Sequence, residues 1–213
     1  MKDVFIAGAG GFGRELVAWA TDHPDCGREW RLAGFLDDNP EALAGYRYPL
    51  SVVGGIADYE PGKNELLLCG LGVPAVKERL CPELIRRGAV FLTLVHPRAV
   101  VGRNVELGAG TVVCPGAVLT SDIQAGELVL FNNLSSAGHD VRVGAYSTLS
   151  CHVDLTGYVE IGRGVMVGSH ASILPKVTVG DGAFVGAGSV VLNPVGAGQH
   201  VFGSPARPFP AKR

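Results

Sequence analysis

His139 and Asp140 stand side by side in Ser135-Ser136-Ala137-Gly138-His139-Asp140, an imidazole next to a carboxylate. A neutral imidazole can take a proton at neutral pH, which is the work of a general base. The carboxylate could hold its tautomer, although consecutive side chains on a strand diverge. The competing reading is a surface or interface histidine. His152 and His170 lie eighteen residues apart. They could stack as structural polar residues, touch an acyl donor or acceptor, or hold a metal. Asp154 is near in sequence, but no third ligand stands out, and no metal is expected. His23 reads as surface, His96 before Pro97 as structural, and His200 has no chemical context. No Ser-His-Asp or Cys-His arrangement can be assigned. The five cysteines, Cys26, Cys69, Cys81, Cys114 and Cys151, show no metal-ligand spacing and read as reduced thiols of a cytoplasmic protein.

A second chemistry sits near the start. Val4 to Ala9 reads as a buried strand, followed by Gly8-Ala9-Gly10-Gly11-Phe12-Gly13 and then helical spacing from Arg14 to Ala20. Glycines between a strand and a helix let backbone N–H groups approach a phosphate. Gly10, Gly11 and Gly13 are the candidates, against a role in tight turns alone. The strand Arg31 to Leu36 ends in Asp37-Asp38, whose carboxylates could meet a ribose or base edge, or serve only capping and solvation. Arg14 is as readily a surface residue as a phosphate ligand. A further strand (Glu65 to Cys69), a glycine turn (Gly70-Leu71-Gly72), a helix (Pro74 to Arg87) and a closing strand (Ala89 to Leu94) complete a Rossmann-like α/β unit. About ninety residues are too few for both halves of a dinucleotide fold. A mononucleotide or nucleotide-linked substrate is expected rather than NAD.

The elements that must position His139 follow another rule. Stepping by six from Val101 to Val191 meets sixteen residues, all apolar, and the next position is glycine in nine of them. A period of six suits neither a helix nor a free strand. It suits a prism with three short strands per coil and eighteen residues per coil, each coil burying its neighbours' core. About five coils at the inter-strand spacing give a height of about 25 Å. Residues eighteen apart then stack. His139 falls above Ser121 and beside Gly157, His152 on His170, and Phe131 beside Leu149. Handedness does not follow from spacing. The expected organisation is an α/β domain over 1–94, a parallel β-helix over 95–195 and a tail over 196–213. A net charge of −2 without a basic stripe argues against a nucleic-acid polymer. No run of apolar residues is long enough for a membrane span, and no signal-peptide pattern is present.

The motifs Gly8-Ala9-Gly10-Gly11-Phe12-Gly13-Arg14-Glu15, Gly34-Phe35-Leu36-Asp37-Asp38, Gly138-His139-Asp140, Val185-Gly186-Ala187-Gly188-Ser189-Val190-Val191 and Gly203-Ser204-Pro205-Ala206-Arg207 together resemble one family. It is the NeuD/PglD-like group of sugar O-acyltransferases and nucleotide-sugar N-acetyltransferases. The resemblance implies that the β-helix is left-handed, that the protein is a homotrimer, and that acetyl-CoA lies between neighbouring prisms. It implies His139 as general base with Asp140 as its partner. It also implies Gly157 with its N–H toward the thioester carbonyl, and His152, Gly186 and Ala187 along the acetyl donor. Gly10, Gly11 and Gly13 match the phosphate loop, and Asp37 and Asp38 the nucleoside contact. The implied activity is N-acetylation of a nucleotide-linked 4-amino sugar. The alternatives are O-acetylation of a sialic acid and a non-catalytic, nucleotide-sugar-binding trimeric scaffold. Two positions depart from the pattern. Phe12 stands where many relatives have histidine, and Thr148 where some have a second histidine nine residues after the base, with His152 four further on.

Overall fold

The computed structural model describes residues 1–210, and the chain divides into two compact units, Met1–Pro97 and the part from Arg98 onward. The first unit holds β1 (Lys2–Ala7), α1 (Gly11–Thr21), β2 (Trp30–Leu36), β3 (Val52–Gly54), β4 (Glu65–Cys69) and α2 (Pro74–Arg86). The sheet is parallel, in the order β3-β2-β1-β4. Val4, Ile6 and Ala7 of β1 and Leu66, Leu67 and Leu68 of β4 are buried. That is the near-continuous apolar run of strands covered on both faces. The expected closing strand over 89–94 is reduced to a single bridge from Phe91 to Leu67, with hydrogen bonds from Leu67 N–H to Val90 and from Leu92 N–H to Leu67. The fourth strand lies on the other edge instead. It is the three-residue β3, too short for alternation to reveal. The strand order reverses between β1 and β4, and a crevice opens beyond their carboxyl ends, the usual place for a ligand in such sheets.

The second unit is a stack of two-residue strands in three parallel ladders. Phe131 pairs with Leu149 and Leu149 with Val167; Ala137 pairs with Leu155 and Leu155 with Ile173; Val143 pairs with Ile161 and Ile161 with Val179. Every one of these partners is eighteen residues away, and all these side chains are buried. Val101 opens the apolar series yet is 39% exposed. Its strand pairs with a coil on one side only, at Val118–Leu119. The ladder also runs past Val195, which bridges Val179. His200–Gly203 lies against Phe184–Val185, a step of sixteen instead of eighteen, and Ala206–Pro208 returns antiparallel to it.

The glycine just after each inward residue does not make the turn. A Cβ on Gly144 would lie 2.5 Å from the Arg163 nitrogen, so that glycine lets one coil approach the next. The turn falls two residues later, in left-handed backbone with φ near +60°, and side-chain-bearing residues often take it: Asp122, Asp140, Tyr158, Leu134 and His152 among them. Gly144→Ala should therefore lower stability by about 1–3 kcal/mol, the cost of forcing a methyl into a packed contact. Urea denaturation checks this, with an unchanged midpoint as the contrary result.

Candidate functional site

In the first unit the chain leaves β1 through Gly8 and enters α1 with Gly10 as its N-cap, with no side-chain cap. The opening N–H groups of a helix have no partners within it and carry partial positive charge, which suits an anion. A Cβ at Gly10 or Gly11 would meet nothing within 4 Å, so the backbone there faces open space. Gly13 is different. Its Cβ would fall 1.9 Å from the Gly8 carbonyl oxygen, so its place in the motif is close packing of helix on strand. The crevice measures about 380 Å³ and is lined by Gly8, Gly10, Gly11, Phe12, Asp37 and Gly70 among others.

Asp37 braces this loop. Its Oδ2 accepts a hydrogen bond from Ala9 N–H at 2.8 Å and its Oδ1 one from Asn39 N–H at 2.9 Å. Asp38 Oδ1 accepts from Ile56 and Ala57 N–H at 2.7 and 3.0 Å, and both aspartates line an adjoining cleft of about 520 Å³. Arg14 is held at the loop, with its guanidinium 3.8 Å from the centre of the Tyr46 ring and Nη1 3.4 Å from the Ala9 carbonyl. Phe12 tilts against Trp19 at 5.9 Å between ring centres.

In the second unit His139 and Asp140 sit at a corner. Asp140 has φ of +61°, which turns the chain so that neighbouring side chains converge rather than diverge. The His139 Nδ1 lies 2.8 Å from Asp140 Oδ2. An ionised carboxylate only accepts, so Nδ1 is the donor in this pair, and in the neutral ring Nε2 then presents a lone pair. The imidazole, 56% exposed, lies over Gly157, one coil on. A Cβ there would come within 2.6 Å of His139 Nε2. The Tyr158 ring meets the imidazole edge-on, 5.0 Å away at 87°. A cleft of about 460 Å³ beside this corner is lined by Asp122, Asp140, Arg142, Tyr158 and Glu160 among others. On the strand leading in, Ser136 Oγ donates to Asp154 Oδ1 at 2.5 Å.

His152 and His170 stack as the eighteen-residue step requires, with ring centres 4.4 Å apart and planes at 8°. They belong to another corner, the one that includes Leu134 and Gly188. His152 therefore does not join His139 within one chain. Thr148 is buried on a strand. Gly186 is overlain by Phe202, whose Cδ2 would be 2.5 Å from a Cβ, while Ala187 next to it is exposed. Among the described residues no group of three or more His, Cys, Asp or Glu comes together as a metal site. Tyr158 and the Ser136–Asp154 pair belong to no motif, although stepping eighteen from Asp140 and from Ser136 reaches both. Lys77 belongs to none either; it is buried and is pushed down to about 8 by that burial. A lysine on a helix carries no sequence sign of facing inward.

The PglD N-terminal domain family matches residues 3–84, and the bacterial transferase hexapeptide family (six repeats) matches residues 158–193. A GDP-perosamine N-acetyltransferase of Escherichia coli is 28% identical over 77% of this chain and 74% of its own length. The acetyltransferase domain of PglB from Neisseria gonorrhoeae, solved with acetyl coenzyme A, superposes with a TM-score of 0.85 at 26% identity, covering 98% of this chain and 99% of that one. PerB from Caulobacter crescentus, solved with CoA and GDP-perosamine, gives 0.87 at 27% identity, covering 99% and 98%. Along both units the chain is similar to the NeuD/PglD-like hexapeptide-repeat acyltransferases. The second unit is a left-handed β-helix of the hexapeptide-repeat type, an exception to the right-handed rule for parallel crossovers. Among the described residues no helix is long and apolar enough to cross a membrane.

Two outcomes follow for this PglD-like chain. Asp37→Ala leaves the Ala9 N–H without its acceptor, which should cost about 1–3 kcal/mol of stability if that group stays dry. It should also weaken nucleotide binding in calorimetry, and unchanged affinity and urea midpoint would contradict the bracing role. Gly157→Ala should displace the imidazole and lower turnover by up to ~10²-fold through misplacement. A crystal structure of that variant with His139 unmoved would contradict the contact.

Proposed function

We propose that this chain is an acetyl-CoA-dependent N-acetyltransferase acting on an amino sugar carried by a nucleoside diphosphate, with a 4-amino-4,6-dideoxy sugar as the acceptor. The observation that carries the reading is the His139–Asp140 pair, with Nε2 presented over a glycine at the rim of a polar cleft. The names of the relatives support it: one is a GDP-perosamine N-acetyltransferase, PerB is solved with CoA and GDP-perosamine, and the PglB acetyltransferase domain with acetyl coenzyme A. The reading assigns nucleotide recognition to the first unit and acyl transfer to the second.

In the proposed reaction the neutral amine of the sugar attacks the thioester carbonyl carbon, and a C–N bond forms. His139 Nε2 takes the proton that the nitrogen sheds, and Asp140 steadies the imidazolium through Nδ1–H. The carbonyl oxygen gains negative charge, for which the Gly157 N–H is the proposed donor. The C–S bond then breaks, the sulfur leaves with its electron pair, and the proton passes from the imidazolium to the thiolate. An amide and free CoA result. Gly10 and Gly11 at the start of α1 receive the diphosphate, and Asp38, with Asp37 behind the loop, faces the nucleoside. A homotrimer, with acetyl-CoA between neighbouring prisms, completes the proposal, and Ala187 and His152 are its candidate donor contacts.

His139→Ala should lower turnover by roughly 10²–10⁴-fold, the usual worth of a positioned base. The assay follows labelled acetyl from acetyl-CoA onto GDP-perosamine, onto a UDP-linked 4-amino sugar and onto a sialic acid, each offered separately. Label in an alkali-stable amide supports the reading. Label found only in an ester on a sialic acid would replace it with O-acetylation, and turnover unaffected by the substitution would remove His139 from the role.

A further inference from the structure

The edge of the prism that carries His139 differs from the other two. At each corner one residue takes left-handed backbone. On two edges glycine fills that place repeatedly, at Gly110, Gly164 and Gly182 on one and at Gly116 and Gly188 on the other. On the His139 edge the five residues are Asn104, Asp122, Asp140, Tyr158 and Lys176, with φ from +56° to +65°. Asn and Asp tolerate that conformation, whereas a bulky aromatic pays a steric penalty there.

Two tyrosines of the prism nevertheless adopt it, and only one is explained by packing. Tyr146 is buried, its hydroxyl donates to Glu127 Oε1 at 2.6 Å, and Arg163 lies over its ring at 4.3 Å. Tyr158 is 50% exposed. Its ring stands against the perpendicular imidazole of His139 at 5.0 Å and, more distantly, the Lys176 ammonium at 6.0 Å. Its backbone N–H donates to the His139 carbonyl at 3.0 Å, which fixes the two residues to each other.

The imidazole needs such a neighbour. The bond from Nδ1 to Asp140 fixes one point of the ring and leaves it free to pivot about that line. Gly157 removes the obstacle beneath Nε2 but cannot hold it. A perpendicular aromatic ring blocks the pivot, and edge-to-face contact is a preferred geometry for it.

We propose that Tyr158 is a positioning residue for His139, its ring rather than its hydroxyl keeping Nε2 over Gly157. This rests on His139 acting as the base. The test compares full-length Tyr158→Phe, Tyr158→Ala, Tyr158→Gly and His139→Ala in steady-state acetylation, with acetyl-CoA and GDP-perosamine or a UDP-linked 4-amino sugar as probes, and adds the thermal midpoint of each. Tyr158→Phe should keep kcat within about twofold, while Tyr158→Ala and Tyr158→Gly lose on the order of ten- to a hundredfold in kcat with KM for both substrates little changed. Glycine relieves the left-handed backbone, so Tyr158→Gly should melt at or above Tyr158→Ala and yet be no more active. That separation of stability from turnover is what a merely structural tyrosine would not give. Native kcat in Tyr158→Gly, or Tyr158→Phe falling as far as Tyr158→Ala, would overturn the proposal. A His139→Ala enzyme with full turnover would instead overturn the base on which it rests.

Discussion

No coil of the prism can bury its own apolar side chains. Phe131 is covered because Val113 and Leu149 lie one coil away on either side, and every rung repeats that dependence. The hydrogen bonds between coils run at a fixed step, so an eighteen-residue displacement in sequence becomes one inter-strand spacing in space. The consequences reach the chemistry directly. The main chains of successive coils meet so closely that Gly144 has no room for a Cβ. The same stacking puts Gly157 beneath His139, where the missing side chain makes space for an imidazole. A frame built to bury valine and isoleucine thereby sets the position of the His139 imidazole to within a contact distance.

The corner converts that frame into a site. Left-handed backbone at Asp140 reverses the divergence expected of neighbouring side chains and brings carboxylate and imidazole to 2.8 Å. Left-handed backbone at a single residue thus pairs Nδ1 with the carboxylate and leaves Nε2 over Gly157. The same turn one coil later presents Tyr158 against the ring. In the first unit Asp37 has an equivalent part. By accepting from Ala9 and Asn39 it ties the end of β2 to the glycine loop after β1, so the open backbone at Gly10 and Gly11 keeps its shape. In both units a carboxylate fixes the geometry of a neighbouring group.

Each unit matches a family model of its own. The PglD N-terminal domain match spans the glycine and aspartate motifs, and the hexapeptide match lies within the prism. Gly13 shows how a motif can be right while its parts do different things. It belongs to the glycine run, yet it serves helix packing, and the open N–H groups lie at its neighbours.

The sixfold apolar series in the sequence determined the prism, because a side chain must face inward at every sixth residue for any coil to be covered. The eighteen-residue step determined the stacking of His152 on His170 and the nearness of His139 to Gly157. Strand, glycine and helix order determined the first unit, except where β3 was too short to show a period and Phe91 made one bridge rather than a strand. Tertiary structure alone decided where the turns fall, since positive φ is a property of a closed coil and Tyr158 and Lys176 carry no mark of it in their type. It decided that Asp37 braces a loop twenty-eight residues away, that Lys77 faces inward, and that Tyr158 stands perpendicular to the imidazole. Periodicity specifies which side chains share an interior, but the direction of a side chain at a corner depends on backbone angles that only the assembled ladder imposes.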